Sequence, residues 1–359
     1  MYKKRAKFKT IGQDVNIKNI KLDDVEDIYH FESTKQTRTK SAKTINDKGK
    51  KSFKTNLILK KAIVVEVMTN YRYKVWCYDS SSILHEPIHC VLSGRLKYIT
   101  HETRNPVCVG DKVSIDVSDV MNPRIEEIEQ RKNILSRYIY PNTTLLAANI
   151  DQVIILASVK EPDFNPRLID RYITAAAVLN IPAILCINKM DLATKGTKQC
   201  GAYYRKIGYN LIYTSAETDY GIDKFKKLLK NKVTVITGHS GTGKSSLINK
   251  IEPGLNLRTA DVSLYHNKGV HTTTSAIMIP FSFGGYIIDT PGIKTLGLKP
   301  SDINLIPTCF PGFANFSNYC EFNNCTHTHE ENCAIKKNIG DKIPSDRYAS
   351  YLFLRENLC

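Results

Sequence analysis

The stretch Val233–Ile251, VTVITGHSGTGKSSLINKI, joins an apolar run to a glycine-rich segment and the beginning of a helical pattern. It contains the pattern G-x-x-x-x-G-K-[ST], which is typical of a phosphate-binding loop between a strand and a helix. Glycines let backbone N–H groups converge on phosphate oxygens, Lys244 reaches the β- and γ-phosphates and serves catalysis there, and Ser245 ligates Mg²⁺. The predicted nucleotide-binding residues of the loop are Gly238, His239, Ser240, Gly241, Thr242, Gly243, Lys244, Ser245 and Ser246.

A second motif, N-K-M-D in the segment CINKMDLA, predicts which base the nucleotide carries. Guanine presents two N–H donor groups on one edge, and the carboxylate of Asp191 can accept from both, whereas adenine would leave this carboxylate unpaired. We expect Asn188 to support the loop and contact the base, and the stem of Lys189 to pack on its flat face. Backbone N–H groups of Ser215 and Ala216, in YTSAE, would bind the guanine O6. The expected ligands are GTP and GDP.

The order of these two motifs is unusual, because the phosphate loop opens the domain in most proteins that contain one. Here the base-reading motif comes first. In a parallel sheet the nucleotide is held by loops at the carboxyl ends of several strands, so the site tolerates a changed chain order. The sequence therefore predicts a GTP-binding domain that is circularly permuted.

The segments NKGVHTTTS and IIDTPG follow the phosphate loop and predict the rest of the catalytic apparatus. Asp289 would hold Mg²⁺ through water, Gly292 would meet the γ-phosphate through its N–H, and Thr273 would complete the Mg²⁺ shell. Ras-like GTPases place a glutamine after D-x-x-G, but here that position is Ile293. His271 is the nearest candidate to orient the attacking water, and a merely solvated loop histidine is the alternative. Slow intrinsic turnover, raised by a partner, would follow.

The segment CEFNNCTHTHEENC predicts a metal centre. Cys320, Cys325, His327 and Cys333 supply three thiolates and an imidazole within a short span, a set that suits one closed, tetrahedral structural Zn²⁺ site. His329 is a competing imidazole that the spacing does not exclude.

Composition favours a polyanionic partner. The 359-residue chain has ordinary hydrophobic and charged fractions, 42% and 24%, but a formal net charge of +16, which favours nucleic acid over the alternative of a merely lysine-rich composition. The N-terminus lacks the apolar core of a signal peptide, and the longest apolar run, AAAVLNIPAILCI, is too short to span a bilayer. We expect a cytoplasmic monomer without membrane contact, whose thiols stay reduced.

Changes in periodicity divide the chain into four parts. Residues 1–56 are polar and lysine-rich and predict a flexible basic arm that either contacts RNA or has no function. Residues 57–138 contain about five short alternating strands, which favour an OB-fold RNA-binding domain. In the strand YRYKVWCY, Trp76 shares a face with cationic residues, as in a nucleic-acid platform, unless Trp76 is a core residue. Residues 139–300 alternate apolar strands with helices and predict a mostly parallel sheet covered on both faces. Residues 301–359 form the zinc-binding domain, ending in an amphipathic helix.

With NKMD, TSA, GHSGTGKSSLIN, HTTT, DTPG and the Cys/His cluster in this order, the chain resembles the RsgA (YjeQ) family of circularly permuted GTPases from about Lys60 to Cys359. The resemblance implies an N-terminal OB-fold, a permuted GTPase domain and a C-terminal zinc domain. It implies that the small ribosomal subunit and its rRNA are the partners in late maturation, that the subunit stimulates GTP hydrolysis, and that hydrolysis releases the factor. It also implies a catalytic role for His271. His239, Gly312 and the residues before Cys333 depart from the family's usual pattern without replacing a required ligand.

Two other functions are compatible with the same motifs. One is a nucleotide-gated RNA-binding protein whose hydrolysis is incidental. The other is a P-loop ATPase, for which Asp191 would have no role in reading the base.

Overall fold

The structure, a computed structural model, describes residues 57–68, 71–78, 83–99, 106–139, 142–197, 199–255, 276–289, 296 and 298–358. The predicted basic arm at 1–56 and the predicted site residues His271, Thr273 and Gly292 lie outside the described residues.

Five strands of the N-terminal part form a closed ring. They are β1 (Leu59–Val67), β2 (Arg72–Tyr78), β3 (Ile83–Leu92), β4 (Lys112–Asp116) and β5 (Arg124–Ile128), with helix α1 (Gly94–Ile99) between β3 and β4. β1 pairs with β2 and β4, β3 with β2 and β5, and β4 with β5, so each strand of the ring has two neighbours within it. Side chains alternate between the two faces of a strand, and Tyr73, Val75 and Cys90 fill the interior of the ring.

Trp76 lies on the outer face of the ring but is buried. Its ring centroid is 5.9 Å from that of Tyr286, and only 8% of the residue is exposed. The neighbouring Lys74 pairs with Glu66 at 2.6 Å. The interpretation of Trp76 as part of an exposed platform is therefore wrong, and the alternative is correct, because this side chain belongs to the apolar core shared with the following sheet.

A mostly parallel sheet follows the ring. A two-stranded hairpin, β6 (Ile134–Ile139) and β7 (Asn142–Ala148), precedes it. The strands of the mostly parallel sheet are β8 (Gln152–Ser158), β9 (Ala183–Asn188), β10 (Asn210–Tyr213), β11 (Val233–Gly238), β12 (Ile277–Pro280) and β13 (Tyr286–Asp289). The order is β10-β9-β8-β11-β13-β12; all neighbours are parallel except β12 and β13, and β12 also pairs with β1 of the ring. Parallel pairing places the carboxyl ends of five strands at one edge.

Helices cover both faces of this sheet, as the sequence predicts. The helices are α2 (Pro166–Val178), α3 (Ala202–Lys206), α4 (Ile222–Leu229) and α5 (Lys244–Ile251). Tyr172 of α2 and Tyr204 of α3 belong to one apolar cluster, whereas Phe225 of α4 and Leu247 of α5 belong to a second one. Within the described part of the chain the longest helix, α2, has 13 residues, which is short of the roughly 20 that a bilayer requires.

The C-terminal lobe is built from short helices around an aromatic core. They are α6 (Ile306–Cys309), α7 (Ala314–Ser317), α8 (Ala334–Lys337) and α9 (Ser345–Glu356), preceded by a 3-10 turn at Pro300–Asn304. Phe310, Phe313 and Tyr351 pack with ring centroids 4.8–5.3 Å apart. The predicted C-terminal helix is confirmed as α9.

A buried ion pair ties this lobe to the sheet layer. Nη1 of Arg347, on α9, lies 2.5 Å from Oδ2 of Asp170, on α2, and the hydroxyl of Tyr204 donates to Oδ1 of Asp170 at 2.7 Å. Burial raises the pKa of Asp170 to about 6, against the lowering effects of Arg347 and of the hydrogen bonds. The adjacent guanidinium and the hydrogen bond from Tyr204 favour the ionised carboxylate, so the pair is a charged contact between the two parts.

Substitution Arg347→Met is expected to destabilise the protein because it leaves the Asp170 carboxylate buried without its cation. Such a loss costs about 3–5 kcal/mol, which lowers the melting temperature by roughly 10 °C in a domain of this size. Thermal unfolding followed by circular dichroism measures the effect. Asp346 contacts the same guanidinium at 3.0 Å but is 69% exposed, so Asp346→Ala is the matched control and should shift melting by no more than about 3 °C. Equal melting of the two variants would contradict the role given to the buried pair.

Candidate nucleotide-binding site and metal centre

The phosphate loop connects β11, which ends at Gly238, to α5, which begins at Lys244. Gly238 has a φ of 153°, and a Cβ there would lie 2.1 Å from the carbonyl oxygen of Leu156, so only glycine fits. The ammonium of Lys244 donates to the carbonyl oxygens of Gly238 and His239, at 3.0 and 2.9 Å. The Lys244 side chain therefore folds back onto the phosphate loop, where its ammonium can contact a phosphate group bound by the loop.

The base-reading motif is joined to this loop by a buried hydrogen-bond relay. Nδ2 of Asn188 donates to the carbonyl oxygen of Thr242 at 3.0 Å, and Oδ1 of Asn188 accepts from the hydroxyl of Thr214, also at 3.0 Å. Gly243 leaves room for this contact, since a Cβ there would lie 2.5 Å from Nδ2 of Asn188. The relay fixes the base-reading segment against the phosphate-reading segment.

Asp191 and Ser215 meet at the same edge. The hydroxyl of Ser215 donates to Oδ1 of Asp191 at 2.5 Å, which orients an otherwise exposed carboxylate. Lys189 has a left-handed backbone, with φ of 59°, and its ammonium donates to the carbonyl oxygen of Glu161. The structure thus brings the predicted base-reading residues to the loop edge that holds the phosphate loop.

Asp289 ends β13, which pairs in parallel with β11. Because parallel strands share their carboxyl ends, Asp289 stands at the same edge as Gly238. Ser245 and Ser246 follow Lys244 in the first turn of helix α5. The other catalytic candidates that follow the phosphate loop, His271, Thr273 and Gly292, lie outside the described residues. Of this group, Asp289 is therefore the residue that the structure places at the edge.

Sequence reasoning missed Thr214. This residue is fully buried, accepts from Met190 N through its own carbonyl at 3.1 Å and donates to Asn188 through its hydroxyl. Its place directly before the Ser215–Ala216 pair was the available signal, because a threonine at a strand end can bridge to the next strand end in a parallel sheet. Thr214 holds both base-reading segments together.

The predicted zinc ligands converge in the C-terminal lobe. The ligand atoms of Cys320, Cys325, His327 and Cys333 all lie within 4.8 Å of one another. Nδ1 of His327 is 3.6 Å from Sγ of Cys320 and 3.4 Å from Sγ of Cys333. Tetrahedral zinc, with bonds of about 2.3 Å to sulfur and about 2.0 Å to nitrogen, spaces its ligand atoms about 3.5–3.8 Å apart. The donor set fits this ion, and the two His327 distances are close to this spacing, whereas Sγ of Cys320 and Sγ of Cys333 are slightly farther apart, at 4.0 Å.

The competition between two histidines is resolved by position. His327 is buried, and burial lowers its pKa, so that the imidazole is neutral and offers a lone pair at pH 7. His329 is 82% exposed and contacts the hydroxyl of Thr328 at 3.1 Å. His327, and not His329, faces the three thiols.

Helix α9 supports the metal-binding loop through backbone contacts. The hydroxyl of Tyr348 donates to the carbonyl oxygen of His327 at 2.7 Å, and Tyr351 and Arg355 donate to that of Thr326. Glu330 accepts from Thr326 N at 2.6 Å; although burial acts to raise its pKa, hydrogen bonds from Thr326 and Thr328 lower the pKa to about 2. These contacts hold the loop in a shape that presents the four ligands.

Comparison with known proteins gives consistent matches. The family model "RsgA GTPase" matches residues 128–299. The small ribosomal subunit biogenesis GTPase RsgA of Bacteroides fragilis is 38% identical over 278 residues, covering 75% of this chain and 90% of the relative. The same-named protein of Flavobacterium psychrophilum is 37% identical over 303 residues, covering 80% of this chain and 93% of the relative.

Two solved structures are similar along most of their length. YjeQ from Thermotoga maritima is 30% identical with a TM-score of 0.67, and the match covers 84% of this chain and 99% of that one. YloQ, described as a circularly permuted GTPase, is 26% identical with a TM-score of 0.64, and the match covers 84% of this chain and 95% of that one. The order of motifs in the sheet, with the base-reading strands before the phosphate-loop strand, agrees with this similarity.

Proposed function

Because this chain belongs to the RsgA GTPase family, we propose that it binds the small ribosomal subunit and its rRNA, assists late maturation, and hydrolyses GTP to GDP and phosphate to drive its own release. The observation that carries the proposal is the relay through Asn188, which joins a guanine-reading segment to a phosphate loop. A site in which the base-binding and phosphate-binding segments are connected can respond to the bound nucleotide as a whole, as a protein whose binding to a partner depends on GTP requires.

We propose that Asp191 reads the guanine edge, with Asn188, Lys189, Ser215 and Ala216 completing the base pocket. The phosphate loop from Gly238 to Ser246 holds the phosphates, and Lys244 stabilises charge that develops on the γ-phosphate. Ser245, Thr273 and Asp289 would hold the Mg²⁺ that accompanies GTP, and the ion would neutralise phosphate charge, while Gly292 would contact the γ-phosphate and His271 would orient the attacking water.

We also propose the division into domains. The closed five-stranded ring supports an OB-fold, which commonly binds nucleic acid, for the region assigned to 57–138. The limit between the two domains that the sequence predicts, at residue 138, falls inside β6. We therefore place the beginning of the GTPase domain before the β6–β7 hairpin rather than at residue 139. The GTPase domain then extends to 300, and residues 301–359 form the domain that would hold one structural Zn²⁺.

Two further features complete the proposal. A cytoplasmic location keeps the four zinc-ligand side chains reduced and available. The four zinc-ligand side chains come from one short segment, so this site needs no second copy of the chain, and we propose a monomer as the working unit. The basic arm at 1–56 would add contacts to RNA.

GTP turnover with and without purified small ribosomal subunits, at low and at high salt, tests the function. We expect slow intrinsic turnover that rises and saturates with subunit concentration, and weaker stimulation at high salt because salt competes with phosphate contacts. ATP in place of GTP is the specificity control, and Lys244→Ala gives the background rate. Turnover that does not respond to subunits at either salt concentration would overturn the proposed function.

A further inference from the structure

Positive charge is unevenly distributed over the chain. The segment 224–232, KFKKLLKNK, contains five lysines and no acidic residue, whereas residues 301–359 carry five basic and seven acidic side chains. A polyanionic partner is therefore attracted to the part of the GTPase domain around this segment more strongly than to the C-terminal lobe.

Helix α4 carries three of these lysines, Lys224, Lys226 and Lys227, and Lys230 follows its last residue as the C-cap. Phe225 and Leu229 are fully buried and pack in the same apolar cluster as Leu247 of the phosphate-loop helix α5. On the other side Lys227 is exposed, and so is Lys230 directly after the last helical residue; both line the same groove. The apolar side fixes the helix against the nucleotide-binding core while its cationic side faces solvent.

The β12–β13 turn completes a groove beside α4. Lys226, Lys227, Lys230, Asp223 and Phe283 line a cavity of about 270 Å³. Phe283 stacks on the buried Phe281 with ring centroids 4.9 Å apart and planes inclined by 12°, and the ammonium of Lys226 lies 4.6 Å from the Phe283 centroid. This cation–π contact holds Lys226 in a defined position, so part of the charge is ordered before any partner binds.

We propose that this groove, which we call the α4 groove, binds the phosphate backbone of RNA. Three lysines line it against the single carboxylate of Asp223, and a phosphate backbone is the ligand that such a charge excess complements. The one aromatic ring of the groove is engaged by Phe281 and Lys226, so the groove offers cations rather than a free stacking face or a set of apolar anchors. This chemistry favours the RNA backbone over an apolar peptide or a lipid surface.

The location links RNA contact to the nucleotide site. Helix α4 follows the segment that carries Ser215, and Asp219 of the connecting loop pairs with Lys250 of α5 at 2.8 Å. RNA bound to α4 would therefore lie beside the segment that reads the base and beside helix α5, which follows the phosphate loop. The inference rests on the proposed function, since it takes the RNA to be that of the small ribosomal subunit.

The test compares Lys227→Ala/Lys230→Ala with Lys195→Ala/Lys206→Ala, which removes two exposed lysines of the same domain away from the groove. Affinity for purified small subunits and for rRNA extracted from them is measured by titration at several salt concentrations. We expect the groove variant to bind both on the order of tenfold more weakly, and the slope of log K against log salt to decrease by about 2, while the control variant binds like the wild type. Intrinsic GTP turnover should be unchanged in both.

Three results separate the possibilities. Wild-type protein that fails to bind subunits would overturn the proposed function itself. Wild-type protein that binds, with the two variants indistinguishable in affinity and salt slope, would overturn the α4 groove alone. A groove variant that loses affinity for subunits but binds extracted rRNA like the wild type would show that the groove contacts something other than RNA, and would also overturn the inference.

Discussion

Substitution Cys333→Ser is expected to abolish zinc binding and to unfold the C-terminal lobe. Cys333 is fully buried, and its Sγ lies 3.4 Å from Nδ1 of His327 and 4.0 Å from Sγ of Cys320. A structural zinc ion contributes about 10–16 kcal/mol to the folding of small metal-dependent domains, and a hydroxyl is a poor replacement for a thiolate ligand. Zinc measured by mass spectrometry should fall from one ion per chain to nearly none.

The lobe depends on the ion because its other elements are weak. Helices α6, α7 and α8 have four residues each, far below the length at which a helix is stable alone. Phe310, Phe313 and Tyr351 form its small core, and Tyr351 also bonds to the metal-binding loop. Without the ion we expect the metal-binding loop to become disordered and to leave the aromatic core uncovered. Limited proteolysis should therefore cut the Cys333→Ser variant within residues 310–340 and leave the sheet intact.

His329→Ala is the matched control for this prediction. His329 is the neighbouring imidazole of the same loop, but it is exposed and faces away from the thiols. This variant should keep one zinc ion and resist protease like the wild type. Retention of a full zinc ion by Cys333→Ser, or its loss in His329→Ala, would show that the four clustered side chains are not the metal site.

The features that the sequence predicts well are those whose physical requirement is local. The phosphate loop needs glycine at positions such as Gly238, where any Cβ would collide with the neighbouring strand, and that requirement is visible in the residues themselves. The zinc ligands lie within one short segment, so their spacing alone indicates a common site. The alternation of apolar strands and helices likewise predicted a parallel sheet with helices on both faces.

The features that it predicts poorly depend on contacts between distant segments. Trp76 has the pattern of an exposed strand residue, yet Tyr286 covers it from a strand that comes much later. The Asp170–Arg347 pair joins residues 177 positions apart, and neither side chain looks unusual in its own segment. The alternating pattern of HCVLSGRLKYI is compatible with a single strand, but the strand ends at Leu92 and a helix begins at Gly94.

Substitution Asp191→Ala is expected to lower the affinity for GTP and GDP by roughly 10²–10⁴-fold. The carboxylate would accept two N–H groups of guanine, and hydrogen bonds to a charged group are worth about 1.5–3 kcal/mol each. Affinity for ATP, which gains nothing from this carboxylate, should stay as low as in the wild type. Titration with fluorescent guanine and adenine nucleotides measures both affinities.

Two neighbouring substitutions define how much of this effect belongs to the carboxylate. Ser215→Ala removes the hydroxyl that donates to Asp191 but leaves the charge, so it should weaken GTP binding by about tenfold or less. Glu217→Ala removes an exposed carboxylate from the same loop and should leave the affinity within about twofold of the wild type. Equal losses in Asp191→Ala and Glu217→Ala would indicate a general charge effect and not recognition of the base.

Substitution Asp191→Asn provides a gain of binding that a merely damaged site could not give. Xanthine carries a carbonyl where guanine carries its amino group, so an amide at position 191 can donate to it while a carboxylate is repelled by it. Xanthosine triphosphate should therefore bind this variant more tightly than the wild type, and GTP more weakly, with a reversal of roughly 10²–10⁴-fold in the ratio of the two affinities. Because the relay through Asn188 and Thr214 is untouched, the phosphate loop keeps its position and the change is confined to the base. A variant that lost GTP without gaining xanthosine triphosphate would mean that Asp191 holds the loop and does not read the guanine edge.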